Sequence, residues 1–151
     1  MGIASVDTWL PQTVETVDEA VRAGRLSADD AAGAGARQVP VSPALSPPEM
    51  AVLAAGKALA RAEWSAAELD LLAHAWIYHQ GHDFWSPAHY VAAQIGASRA
   101  VPLGLQQLCN GGAAALLLGA RWVAHAPAPS RVAVTTADRF WGPGFDRWAG
   151  D

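Results

Sequence analysis

The 151-residue chain is poor in sulfur, in lysine and in charge, and it has no long unbroken apolar run. Each shortage removes a class of protein. One cysteine cannot close an internal disulfide, which points to a reducing compartment rather than a disulfide scaffold. A net charge of −4 leaves no basic footprint for nucleic acid. Proline or glycine interrupts the uncharged stretches before they reach the roughly 20 apolar residues that span a bilayer, so no membrane partner is expected. The opening MGIASVDTWLP has no basic segment leading into an apolar core, so no signal peptide is expected. Lys57 is the only lysine among ten basic residues, which with the abundant alanine reads as GC-rich coding bias. The expected setting is a bacterial cytoplasm. There is no P-loop, dinucleotide fingerprint or serine nucleophile elbow, and no cofactor is expected.

What is present is a chain that is 52% hydrophobic and 16% charged, globular and the size of one domain. GIASVDTW alternates enough for a strand that Pro11 stops. TVETVDEAVRAG (13–24) places Val14, Val17 and Val21 on one helical face. Ser27 with Asp30 forms a weak capping box for a short turn, and the proline-rich 36–48 reads as an irregular connection. Ser46-Pro-Pro-Glu49 is a stronger helix start, continuing to about residue 63. LDLLAHAWIY (69–78) is nearly continuous in apolar character and predicts a strand buried on both faces. A loop, HQGHDFWSP, leads to a helix that opens at Pro87. Strands are expected at 100–107 and 131–137, with a helix over 110–125 between them. The pattern β-α-α-β-α-β-α-β predicts a layered α/β domain with a mixed, mainly parallel sheet. The terminal ADRFWGPGFDRWAGD is a loop rich in aromatics, as if further polypeptide covered it.

Cys109 falls where the strand of 100–107 hands over to the helix. A helix N-terminus stabilises a thiolate through its partial positive charge and unpaired N–H groups. The same N–H groups can hold an oxyanion on an attacked thioester. Gly111 and Gly112 allow close backbone approach, and the helix is apolar on all sides for three turns, as a buried central helix would be. From spacing alone two readings stand: an activated nucleophile, or a small hydrophobe in a core.

SPPEMAVLAAGKALARAEWSAAELDLLAHAWI and QLCNGGAAALLLGARWVAHAPAPSRVAVTTADRF together resemble the N-terminal half of the β-ketoacyl-acyl carrier protein synthase III family. That family lies in the thiolase superfamily, and the likeness is to its divergent actinobacterial natural-product branch. The resemblance implies a single thiolase-like half-domain over 1–151, incomplete at its C-terminus, with a buried central helix after the cysteine. It implies that Cys109 accepts an acyl group from an acyl-CoA or acyl carrier protein thioester, its own N–H forming half of the oxyanion hole. The acyl group then passes to a malonyl carbanion by Claisen condensation, or to a hydroxyl or amine. It further implies a homodimer paired along strand 101–107, with GHDFWSP reaching toward the partner's site. Phe84 and Trp85 are then candidate acyl-pocket residues beside Gly111 and Gly112. A family second half would supply a His and an Asn or Asp. The usual CoA-site segment is missing here, where the chain reads ADDAAGAGARQVPVSP, and Gly112 stands where an aromatic often follows Cys-x-Gly. A non-catalytic half-domain that binds a partner chain or a carrier protein is the alternative.

His74, His79, His82 and His89 crowd one stretch. A metal site needs three or four convergent ligands, and His74 and His79, five apart on one strand, would face opposite ways, so no metal is expected. Asp138 and the Asp146-Arg147-Trp148 cluster read as an ion pair with surface packing, worth only ~0–1 kcal/mol if exposed.

Overall fold

The computed structural model describes residues 2–140 and Trp148. It divides into two compact units, Met1–Trp9 with Leu45–Asp138, and Leu10–Ala44 with Arg139–Asp151.

In the smaller unit, Thr16 decides where the first helix begins. Its hydroxyl accepts from the Glu19 N–H, and the Glu19 carboxylate accepts from the Thr16 N–H and hydroxyl at 2.8 Å each. That capping box starts the helix α1 (Val17–Arg22) late and frees β1 (Val14–Thr16) to pair. After α2 (Ala28–Gly33), capped by Ser27 as expected, comes β2 (Gln38–Pro40). β1 and β2 pair antiparallel, Glu15 opposite Val39. The expected helix over 13–24 is therefore shorter, and part of the irregular 36–48 is a strand. The sequence pattern hid this because β1 has only three residues.

In the larger unit, α3 (Pro47–Ala62) starts at Ser46, whose N–H and hydroxyl donate to the Glu49 carboxylate at 2.7 and 2.6 Å. Then follow β3 (Leu71–Ala75), α4 (Pro87–Ile95), β4 (Val101–Leu105), α5 (Gly111–His125) and β5 (Val132–Thr136). The three strands form a parallel sheet in the order β4-β3-β5, with Leu71 opposite both Val101 and Val132. All five residues of β3 are buried. Leu72 packs with Ala51, Leu69, Ala88 and Val91 against α3 and α4, while Ala73 and Ala75 pack with Ala115 of α5. Burying each such leucine stabilises the fold by about 1.5–3 kcal/mol. At the strands' amino ends, Asp70 accepts from the Arg131 N–H and the Ser130 hydroxyl, and it pairs with Arg99 at 2.9 Å. The Arg131 N–H first, then the Ser130 hydroxyl and Arg99, hold its carboxyl below the usual carboxylate range.

Two expectations about this unit fail. GIASVDTW forms no strand. It runs extended along α3, where Ser5 donates to the Ala58 carbonyl at 2.7 Å and Asp7 pairs with Arg61 at 2.7 Å. Side-chain and backbone contacts to a helix replace the ladder that the alternation anticipates. Nor is α5 buried all round. Gly111, Ala115 and Gly119 face the sheet, but Leu116 and Leu117 are 56% and 62% exposed. Its small-residue face lies on the strands and its leucine face lies open.

Candidate active site at the strand–helix junction

The site begins where β4 ends. After Leu105 come Gln106 and Gln107, then a single 3-10 turn over Leu108–Asn110, and α5 starts at Gly111. Leu108 sits at φ +49°, a left-handed conformation costing a non-glycine residue about 1–2 kcal/mol. Cys109 follows in the same turn, exposed at the head of α5. Asn110 donates its N–H to the Gln107 carbonyl at 3.2 Å, closing the turn behind the thiol. The carboxyl ends of parallel strands are where α/β folds bind ligands, and a helix N-terminus adds partial positive charge there.

The two glycines hold α5 against the sheet. A Cβ on Gly111 would stand 3.2 Å from the Ala75 Cβ, and one on Gly112 3.4 Å from the Thr136 methyl. Both positions thus pack closely on β3 and β5. Phe84 is fully exposed among the described residues, with φ +53°. Trp85 is half-buried and packs edge-on to His82 and against Tyr90, with centroids at 5.2 and 5.5 Å.

Beside the thiol's turn lies a polar network that the sequence reading did not anticipate. His74 is fully buried on the α3/α4 face of β3, directly opposite Thr135 in the sheet. Its Nδ1 is 2.9 Å from the Thr135 hydroxyl and its Nε2 is 3.3 Å from Gln80 Oε1. The Gln80 amide nitrogen donates to the Tyr78 and Ala137 carbonyls and to Asp138 Oδ1. The Gln80 oxygen therefore faces His74, so the proton belongs on His74 Nε2 and Nδ1 accepts from Thr135. Burial lowers the His74 pKa below its ordinary value of 6.5, keeping the ring neutral. A histidine inside an apolar strand was the signal for this network, and His79, expected on the same strand, lies beyond its end.

Among the described residues no ion pair of Asp138 is found, and its partners are backbone groups and Gln80. Its carboxylate accepts from the Ile77 N–H at 3.0 Å on both oxygens and from the Tyr78 N–H at 2.8 Å. Burial pushes its carboxyl above its ordinary value of 3.8, while these N–H groups pull the other way. Asp146 and Arg147 lie outside the described residues, and Trp148 donates its ring N–H to Glu15 at 3.1 Å. Among the described residues no three His, Cys, Asp or Glu side chains stand close enough to share a metal, and no helix is long and apolar enough to cross a membrane. A shallow cavity of about 440 Å³ lies at the other end of α5, lined by Trp122, His125, Pro127 and Asp70. It does not include Cys109.

A parallel α/β sheet, a helix packed against it and an exposed cysteine at the strand–helix junction are features consistent with a thiolase-like fold. No protein-family model and no curated protein matches this chain. Solved structures do. The acyltransferase ChlB3 is 33% identical with a TM-score of 0.88, over 95% of this chain and 43% of that one. The 3-oxoacyl-[acyl-carrier-protein] synthase III from Aquifex aeolicus is 26% identical with a TM-score of 0.74, over 81% and 40%. AbyA1, a tetronic acid condensing enzyme, shares the fold at 18% identity with a TM-score of 0.80, over 95% and 46%. The chain thus has the thiolase-like fold of the β-ketoacyl-acyl carrier protein synthase III enzymes and their relatives, and it spans less than half the length of these three structures.

Proposed function

We propose that the protein takes part in acyl transfer of the ketoacyl synthase III type, with Cys109 as the acyl acceptor. The observation that carries the reading is the exposed thiol at the head of α5, at the carboxyl end of a parallel sheet of thiolase type. The Cys109 thiolate attacks the carbonyl carbon of an acyl thioester, a new C–S bond forms, and the Cys109 N–H contributes to holding the oxyanion. The donor C–S bond then breaks, and the carrier thiol leaves with the proton that Cys109 gave up. In the condensing version, a malonyl thioester loses CO2 and its carbanion displaces the cysteine sulfur. The His and the Asn or Asp that would manage these later steps come from polypeptide that completes the thiolase-like pair. The donor is an acyl-CoA or an acyl carrier protein, the site needs no metal or cofactor, and the setting is cytoplasmic. Gly111 and Gly112 shape the floor of the site, and Trp85 stands behind the loop that presents Phe84.

β4 is one of the two edge strands of the described sheet, with Val101 and Leu103 exposed along it. A homodimer formed edge to edge there would bring Phe84 to the partner's acyl pocket. One observation favours a second outcome for the acyl group: the 33% identical neighbour is named an acyltransferase, which supports direct transfer to a hydroxyl or amine. Incubating the chain, alone and with its completing polypeptide, with acyl-CoA and acyl carrier thioesters tests the reading by intact mass. An added acyl group that Cys109→Ala abolishes supports it. Adding malonyl thioester then separates the outcomes, since condensation releases CO2 and transfer does not. No adduct under either condition would leave a non-catalytic binding half.

A further inference from the structure

We infer that Asp138 is a positioning residue for Cys109, acting through the turn at residues 76–78. The inference rests on the reading of Cys109 as the acyl acceptor and names what fixes that sulfur in place.

The connection runs through hydrogen bonds and contacts between consecutive segments. Asp138 follows β5 by two residues and holds both the Ile77 and the Tyr78 N–H. These backbone groups lie past the end of β3. On its other side the same turn is tied to β4 and its extension. The Trp76 N–H donates to the Leu105 carbonyl at 3.1 Å, and the Gln106 side chain donates to the Ile77 carbonyl at 3.5 Å. The Trp76 ring also lies on β4 so closely that a Cβ on Gly104 would fall 2.8 Å from it. Residues 105–107 lead directly into the left-handed Leu108 and then Cys109. Behind the thiol, Gly111 rests on Ala75, the residue before the turn. The 76–78 turn is therefore the block between β5 and the segment carrying the cysteine, and Asp138 is the side chain that fastens it. Gln80 reinforces the fastening, donating to Asp138 at 3.3 Å while His74 and Thr135 fix its orientation. A strained residue at Leu108 persists only where its surroundings hold it, and this block anchors Leu105 and Gln106, which lead into it.

The test measures acylation of Cys109 against thioester concentration, and amide hydrogen exchange, in wild type, Asp138→Ala and Asp138→Asn. Misplacing a nucleophile lowers the maximal rate without weakening donor binding. Asp138→Ala should thus cut the rate at saturation on the order of 10–100-fold, with the half-saturating concentration unchanged. Asp138→Asn, which keeps one oxygen acceptor, should recover part of the loss. Exchange should quicken at Ile77 and Tyr78 and also at Cys109 and Asn110. Should Asp138→Ala not fold, Gln106→Ala, at an exposed position, should lower the maximal rate by about threefold through the same turn. A normal maximal rate despite fast exchange at 77–78 would overturn the inference and leave the acyl-cysteine reading standing. Absence of wild-type acylation would instead remove that reading. The exchange data then decide alone, and quickening confined to residues 77–78 counts against Asp138.

Discussion

His74, on β3, and Cys109, in the turn that follows β4, are treated in opposite ways. His74 is fully buried, on the face away from α5, with both ring nitrogens engaged. Cys109 is exposed at the head of α5, behind a residue held at positive φ. The imidazole is enclosed in the core with both nitrogens used, and the thiol stands exposed. A titratable side chain with every lone pair and proton accounted for has nothing left to offer a substrate.

Removing the satisfied partner should do the larger damage to stability. His74→Ala leaves Thr135 and Gln80 without their partner in a buried site and opens a cavity. We expect a loss of about 2–4 kcal/mol in denaturant unfolding, where an exposed Cys109→Ala should stay within about 0.5 kcal/mol. Equal, small losses would mean that the network is not what holds the sheet's carboxyl end. Gly104→Ala comes next, because its Cβ would meet the Trp76 ring at 2.8 Å. Overpacking of this kind typically costs about 1–3 kcal/mol, and a wild-type melting temperature would show that the ring moves aside freely.

The smallest effect is a pH slope. The folded pKa of His74 is lowered, so as pH falls below the ordinary 6.5 the unfolded chain takes up the proton first. Stability then declines with acidification, by at most about 1.4 kcal/mol per pH unit. Asp138 has the opposite sign: its folded pKa is raised, so the folded chain gains on acidification above 3.8. The lowered carboxyls of Asp7, Glu68 and Asp70 lose their contribution only as pH falls below their ordinary 3.8–4.5. Subtracting the curve of His74→Gln isolates the histidine, and a difference that is flat between pH 6.5 and 5 would refute its buried neutral state.

Local signals carried much of this fold. Ser46-Pro-Pro-Glu49 sets the start of α3, LLAHA within the apolar run 69–78 is β3, and the strand–cysteine–helix order around Cys109 stands as read. What stayed hidden depends on partners distant in the chain. The capping geometry that makes Thr16 end a strand is local, but the strand exists only because Gln38–Pro40 lies beside it. His74 meets Thr135 and Asp138 meets Ile77 across 61 residues each, and no spacing rule reports such pairs. The apolar run after Cys109 reads as burial on all sides, yet only its Gly111-Ala115-Gly119 face finds the sheet. Hydrophobicity gives the tendency to be covered, and among the described residues the leucine face stays largely exposed.

The central claim is that Cys109 carries the acyl group, and the most direct measurement locates it. After exposure to acyl-CoA or an acyl carrier thioester, trypsin cleavage after Arg99 and Arg121 releases residues 100–121, which contain the chain's one cysteine. The account predicts that this peptide gains the mass of one acyl group, that the gain is released as a thioester is, and that it is absent in Cys109→Ala. An acyl group found on another peptide, or retained in Cys109→Ala, would contradict it.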